Sequence, residues 1–341
     1  MTPTEAIAVL CAGRDLHRDQ ARAVFDAIMA GTVTPPQIAG VLVGLKAKGE
    51  TADEITGAAQ AMRAVSTKVD VDVPNLVDVC GTGGSGGAKC FNVSTAAAFV
   101  VAAAGAHVAK HGNRGATSKS GSADLLEAAG ASLELSPQDI ARCIREIGVG
   151  FMFAQRHHGA MRHAMPVRRD LGVGTVFNLL GPLTNPAGAR RQLLGVFAPQ
   201  WQETLATVAK ALGSHHVLVV HCDGLDELSI HAPSRIVELK EDRIETYEVS
   251  PGDFGLREQE VDGLHANSPA DSLRLVRAAL SGTDEAAADI VALNGGAGIY
   301  AAGIAQSLAD GVTMATDLIA SGQAAEKFRE FSDFTRMLAE L

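Results

Sequence analysis

The sequence predicts an α/β protein: a small all-helical N-terminal domain, then a larger α/β domain with a central, mostly parallel sheet. Three observations carry that expectation. Helix start signals fill the first seventy residues, short apolar runs then alternate with helical patterns, and 36 glycines accompany an aliphatic core holding only 4% aromatic residues. The length of 341 residues suits about two domains.

Within the first seventy residues, Thr2-Pro3-Thr4-Glu5, Thr34-Pro35-Pro36-Gln37 and Thr51-Ala52-Asp53-Glu54 read as capping boxes. In each, a threonine hydroxyl accepts a backbone N–H, the Glu or Gln reaches back, and Pro at the first helical position loses nothing. Ile55, Ala58, Ala59 and Met62 then recur at the spacing of one helix face. Val69 to Pro74 reads as a linker, so the helical domain spans 1–72. Strands are expected at Leu76–Cys80, His107–Lys110, Gly150–Ala154, Leu194–Ala198 and Val217–Cys222. Helical patterns separate them, such as the one Ser136-Pro137-Gln138-Asp139 opens into Ile140, Cys143, Ile144 and Ile147. Arg235–Lys240 and Arg243–Val249 read as a hairpin forming an antiparallel edge.

Charge and cysteine content exclude several classes. With 29 Lys and Arg against 39 Asp and Glu, a net charge of −10 repels nucleic acid and anionic membrane unless a local basic patch overrides it. The five scattered cysteines contain no C-x-x-C, which indicates neither a disulfide framework nor a zinc site and suits a reducing cytoplasm. The most apolar tract, Ala96 to Ala109, is too short for a bilayer span, and the start MTPTEA lacks a signal peptide's basic region. A soluble, unexported protein is expected.

Asp78 to Ser122 carries the chemistry. A strand delivers the chain into Gly81-Thr82-Gly83-Gly84-Ser85-Gly86-Gly87, whose glycines permit positive φ and let backbone N–H groups converge on an anion. Asn92-Val93-Ser94-Thr95 places two hydroxyls at the N-terminus of an Ala-rich helix, where free N–H groups favour negative charge. After the next strand, Lys110-His111-Gly112-Asn113-Arg114 supplies two cations and an amide, and Ser118, Ser120 and Ser122 supply hydroxyls. Taken singly, these are a tight turn, helix caps and solvated charges. On successive strand ends they converge on a diphosphate. A dinucleotide is disfavoured because no acidic residue stands at a strand end about twenty residues on, and no Walker A ending is present.

Asp226-Glu227, on a glycine loop beyond an apolar run, are good ligands for a hard cation such as Mg²⁺, which binds one or two carboxylates plus substrate phosphates. Solvated loop acids are the blander reading. Arg168 has a planar fork suited to a carboxylate, against the common alternative of a surface salt bridge. His157, His158 and His163 cluster without a metal-binding signature, and no metal is assigned to them.

GTGG, NVST, KHGNR, SKSGSADLLEA, VFNLLGPLTNP and GLDELS, in this order, closely resemble the anthranilate phosphoribosyltransferase family. The N-terminal DAIMAGTVTPPQIAGVLVGLKAKGETADEI resembles that family's helical domain. The resemblance implies a helical domain completed by a segment near 165–190, an α/β domain of 75–164 and 191–341, and a homodimer formed through the helical domains. It implies transfer of the 5-phosphoribosyl group from phosphoribosyl diphosphate to the anthranilate amine, in tryptophan biosynthesis, with no strong general base. Gly83, Asn92, Ser94, Thr95, Lys110 and Ser122 would hold phosphoribosyl diphosphate, joined on the loop reading by Gly81, Gly84, Ser85, Asn113, Arg114 and Ser118. Ser94, Asp226 and Glu227 would hold Mg²⁺. Gly83, His111, Asn113 and Arg168 would lie along the anthranilate path.

Two departures from the family pattern stand out. Ser85 replaces the acid of GTGGDG in a loop one residue longer, with Ala88-Lys89-Cys90 before Phe91, and Gln155 stands where the family has proline. Both bear on substrate affinity more than on reaction class. A pyrimidine nucleoside phosphorylase shares the glycine loop but not KHGNR or GPLTNP. A nucleic-acid-binding paralogue would need a basic surface, which the net charge opposes.

Overall fold

The computed structural model describes residues 1–83, 90–115 and 119–340. Four helices come first: α1 (Pro3–Cys11), α2 (Arg18–Met29), α3 (Pro35–Lys48) and α4 (Ala52–Val65). At α1 and α4 the capping box closes both ways, with Thr2 and Glu5, and Thr51 and Glu54, exchanging side-chain and backbone bonds. At α3 only the reach-back forms: Gln37 accepts the Thr34 N–H, and the Thr34 hydroxyl also donates to Gln37 instead of capping the backbone. Helix α2 opens at His17, whose N–H donates to Gln20. Lacking a Ser or Thr start, it is invisible to the start-signal reading.

No helix or strand occupies 66–75. Seven strands then form one sheet: β1 (Leu76–Gly81), β2 (His107–Gly112), β3 (Val149–Phe153), β4 (Arg191–Gly195), β5 (His216–His221), β6 (Ser234–Lys240) and β7 (Arg243–Val249). Their order is β3-β2-β1-β4-β5-β6-β7. The first five are parallel, and β6 and β7 add the expected antiparallel edge. The expectation of a strand at Leu194–Ala198 needs correction. Register pairs Val77 with Arg191 and Gly81 with Gly195, so β4 starts three residues earlier. Its first two side chains are polar and hide the start: Arg191 donates to the Ala301 carbonyl and Gln192 to the Pro182 carbonyl. Strand β3 stops at Phe153, one residue short of the expected end.

The connections are helical. Helix α5 (Val93–Ala103) joins β1 to β2, and α6 (Ser122–Ala128) and α7 (Pro137–Ile147) join β2 to β3. Between β3 and β4 come α8 (Ala154–His157), α9 (Met165–Leu171) and α10 (Phe177–Leu180), and α11 (Trp201–Ala211) precedes β5. The chain ends with α12 (Pro269–Leu280), α13 (Glu285–Ala302), α14 (Leu308–Ala320) and α15 (Gln323–Ala339). No described helix is long and apolar enough to cross a membrane.

Two apolar clusters cover the sheet. One joins Val77, Val79 and Val108 to α5, α7 and the four C-terminal helices. The other joins Cys80, Leu194 and Val217 to α11, to the N-terminal helices, and to Ala164, Val167 and the stretch from Val176 to Leu183. In the first cluster α13 lies unusually close to its neighbours. A Cβ on Gly296 would stand 2.5 Å from the Val312 backbone, and one on Gly311 2.3 Å from the Gly296 carbonyl oxygen. Gly296→Ala is therefore expected to cost about 1–3 kcal/mol through overpacking. Urea unfolding reads this as a lowered midpoint, and an unchanged midpoint would contradict the packing.

Candidate active site

The carboxyl ends of the parallel strands open into one cavity of about 660 Å³. It sits where the strand order reverses about β1, the usual ligand position in open α/β sheets.

One end of the cavity is built on the loop after β5. Asp226 Oδ2 accepts the Gly83 N–H at 2.8 Å, and Glu227 Oε1 accepts the Ser94 N–H at 3.2 Å. This loop lies directly on the sheet because neighbouring strands end in glycine. A Cβ on Gly81 would sit 2.4 Å from Asp226 Oδ2, and one on Gly195 1.6 Å from the Asp226 carbonyl oxygen. Ser94 and Thr95 belong to the first turn of α5, and the Thr95 hydroxyl is buried without a partner among the described residues. Buried Lys110 donates to the Val79 carbonyl at 2.5 Å and stands 3.5 Å from Ser94 Oγ. Carboxylates, an ammonium and helix N–H groups thus meet within one pocket.

The other end begins one residue along β2. Successive strand side chains point to opposite faces, so His111 turns away from Lys110 and its Nδ1 meets the Gly181 carbonyl at 3.1 Å. Its ring packs edge-on against His158 at 5.0 Å. Burial, reinforced by neighbouring imidazoles, pushes His111 down to about 3 and His158 down to about 4. Both are therefore neutral at ordinary pH, and the Nε2 atom of each is buried without a partner among the described residues. With Nδ1–H donated to Gly181, His111 Nε2 is a bare acceptor. On α9, half-buried Arg168 holds its guanidinium 5.2 Å over the Phe177 ring. Burial lowers its pKa, and among the described residues it makes no ion pair.

A buried carboxylate joins the two ends. Asp78 Oδ1 accepts the His111 N–H at 3.2 Å, and Oδ2 accepts from Asn185 Nδ2 at 2.8 Å. Asn185 also donates to the Ala109 carbonyl, which ties the GPLTNP segment to β1 and β2. Burial pushes the Asp78 carboxyl up, while the Lys110 ammonium and these donors hold it down.

Every site residue expected from the sequence that lies within the described residues lines this cavity. Gly84, Ser85 and Ser118 lie outside the described residues, as does the loop insertion at Ala88-Lys89. Two residues differ in detail from the expectation. The Arg114 guanidinium is held by Glu127 at 2.7 Å and Asp124 at 3.1 Å, so its charge is already met by α6. The Asn92 side chain is bonded to Ser120 and Ser272, where it braces the loop before α6 against α12. Gln155, in place of the family's proline, reaches Asn113 Oδ1 at 3.5 Å. Sequence reasoning missed His158, Asp78 and Asn185. Only the His157-His158 doublet offered a signal, and it was read for metal ligands alone.

The model of the glycosyl transferase family a/b domain matches residues 73–325, and that of the family's helical bundle domain matches residues 4–66. Fold and cavity thus define a two-domain glycosyl transferase. The anthranilate phosphoribosyltransferase of Chromohalobacter salexigens is 56% identical over 340 residues, covering 99% of this chain and 98% of that one. Among solved structures, anthranilate phosphoribosyltransferase from Thermus thermophilus superposes with a TM-score of 0.92 at 44% identity, covering 97% of this chain and 99% of that chain. The Saccharomyces cerevisiae enzyme in complex with PRPP and Mg gives 0.89 at 25% identity, with 99% and 98% covered. The chain belongs to the anthranilate phosphoribosyltransferase family.

The histidine pair has a signature in acid. Unfolded, both imidazoles take up protons near 6.5, whereas folded they stay neutral down to about 3 and about 4. Between these limits the unfolded chain binds more protons, so stability falls as pH drops from 6.5 toward 4. NMR titration should show both rings neutral at about pH 5; a midpoint near 6.5 for either ring would contradict its burial.

Proposed function

We propose that this chain carries out its family's reaction: transfer of the 5-phosphoribosyl group from phosphoribosyl diphosphate to the amine of anthranilate. The products are N-(5-phosphoribosyl)anthranilate and diphosphate, and the reaction belongs to tryptophan biosynthesis. The supporting observation is the polarity of the cavity, with an anion-binding end at Gly83, Ser94 and Lys110 and a carboxylate-binding end at Arg168.

In this reading the diphosphate lies against Gly83 and the first turn of α5, where the Thr95 hydroxyl awaits a partner, with Lys110, Asn113 and Ser122 around it. Gly81 and Asn92 shape this wall. Ser94, Asp226 and Glu227 form an all-oxygen donor set that fits Mg²⁺, which when bound would neutralise the departing diphosphate. Lys110 shares that role from the protein side as the ribose develops oxocarbenium character. The fork of Arg168 pairs with the anthranilate carboxylate, a natural partner for a desolvated guanidinium without an ion pair.

Neutral His111 is too weak a base to take the aniline proton, but its Nε2 can accept a hydrogen bond from the amine and orient the lone pair. Gly83 and Asn113 border the same path. The aniline nitrogen is neutral and needs no deprotonation before attack, so positioning and preorganised charge carry the rate.

The helical unit comprises 1–72 and the segment near 165–190, and the α/β unit 75–164 and 191–341. Substrates between them imply closure during turnover. Val43, Val65 and Val173, exposed apolar residues of the helical unit, suit a homodimer formed through it. All five cysteines are free thiols, in keeping with a cytoplasmic setting.

Mixing the purified chain with anthranilate, phosphoribosyl diphosphate and Mg²⁺ should quench anthranilate fluorescence as product forms. A folded chain that leaves fluorescence unchanged, or that phosphorolyses thymidine instead, overturns the reading. Arg168→Ala is expected to raise the KM for anthranilate about 10- to 100-fold, the worth of a charged hydrogen bond, leaving the KM for phosphoribosyl diphosphate near its original value. Asp226→Asn with Glu227→Gln should shift Mg²⁺ activation to higher concentration, and an unaltered Mg²⁺ titration would remove the metal assignment.

A further inference from the structure

Beside the acidic pair, the same loop carries a second cluster that the reaction does not use. Asp223 and Gly224 both adopt positive φ, 43° and 83°, and the isolated bridge between Cys222 and Leu225 closes this turn. The turn brings the Asp223 carboxylate toward the His231 ring. The Cys222 sulfur, an Asp223 carboxylate oxygen and a His231 ring nitrogen all lie within 4.8 Å of one another.

We propose that Cys222, Asp223 and His231 form a binding site for a borderline-soft divalent transition metal of the Zn²⁺ class, separate from the Mg²⁺ ligands. His231 Nε2 and Asp223 Oδ2 are 3.4 Å apart. A tetrahedral centre with bonds of about 2.1 Å has ligand–ligand edges of about 3.4 Å, so these two atoms already stand along one edge. The sulfur, within 4.8 Å of both, needs to close by at most about 1.2 Å to reach its longer edge.

The surroundings favour the same assignment. Ser229 Oγ holds His231 Nδ1 at 2.5 Å, which leaves Nε2 as the nitrogen facing Asp223, the outer-shell bond that metal-binding histidines require. The hydroxyls of Ser234 and Ser229 reach the Cys222 sulfur, where they can donate to a thiolate. On metal binding the thiol proton passes to solvent, and the S–H contacts with the Pro233 and Ala232 carbonyls give way to a sulfur–metal bond. Exposure grades outward, from buried Cys222 through half-buried His231 to exposed Asp223, so a cation enters from solvent and a fourth position remains for water. A sulfur and nitrogen donor set selects against Mg²⁺, whereas the oxygen set at Asp226 and Glu227 selects for it. The primary sequence hides this site because its spacing matches no zinc signature.

The test uses the full chain with Cys11→Ser, which removes the exposed thiol. Stripped of metal and titrated with cobalt chloride in excess Mg²⁺, it should bind one equivalent of Co²⁺. The expected spectrum has a near-ultraviolet thiolate-to-cobalt band and the intense visible bands of tetrahedral geometry, both abolished by Zn²⁺. Cys222→Ser should lose the near-ultraviolet band, His231→Ala should weaken binding by about tenfold or more, and Ser229→Ala by about tenfold. Should Cys222→Ser fail to fold by circular dichroism, His231→Ala at its partly exposed position decides the matter. Co²⁺ binding without the thiolate band, a band that survives in Cys222→Ser, or unchanged affinity in His231→Ala overturns the proposal.

Discussion

The site depends on one buried carboxylate. Asp78 is 1% exposed, in a sheet interior where an unpaired charge is costly. It is tolerable because three groups from two different parts of the chain meet its needs: the His111 N–H and the nearby Lys110 ammonium from β2, and the Asn185 amide from the loop before β4. The same bonds fix where these parts stand. Asn185 anchors the segment whose Gly181 carbonyl orients His111, and Lys110 is held against the Val79 carbonyl facing α5. Losing this carboxylate would unseat both ends of the cavity together.

A second constraint is the absence of side chains beneath Asp226. Gly81 and Gly195 end adjacent strands in register, and the Asp226 carboxylate at Gly81 and the Asp226 backbone at Gly195 occupy the volume their Cβ atoms would need. The acidic pair therefore reaches the Gly83 and Ser94 amides directly. The geometry that presses the loop onto the sheet thus sets two carboxylates beside the N-terminus of α5, where both meet backbone N–H groups.

Much of this was legible along the chain where the physics is local. Thr2 and Thr51 announced their helices because a cap is satisfied within four residues, and Gly81, Ser94, Lys110 and Asp226 fell at or beyond strand or helix ends that the apolar runs marked. What escaped was decided by partners distant in sequence. Helix α2 starts on a histidine, β4 starts with Arg191 and Gln192 whose polar groups are satisfied by Ala301 and Pro182, and Arg114 is neutralised by carboxylates on α6. His158 matters because it packs on His111 across the sheet's edge, and Cys222 matters because a turn brings Asp223 and His231 to it. Neither neighbour is visible in a linear motif.

Lys110 and His111 are consecutive residues on β2, yet they serve opposite layers of the molecule. The ammonium is thereby directed to one face of the sheet and the imidazole to the other, although both line the same cavity. A slip of β2 by a single residue against β1 would swap ammonium and imidazole and invert the chemistry of both compartments at once. The register that pairs Leu76 with His107 and Val77 with Val108 therefore fixes which of the two groups each face receives.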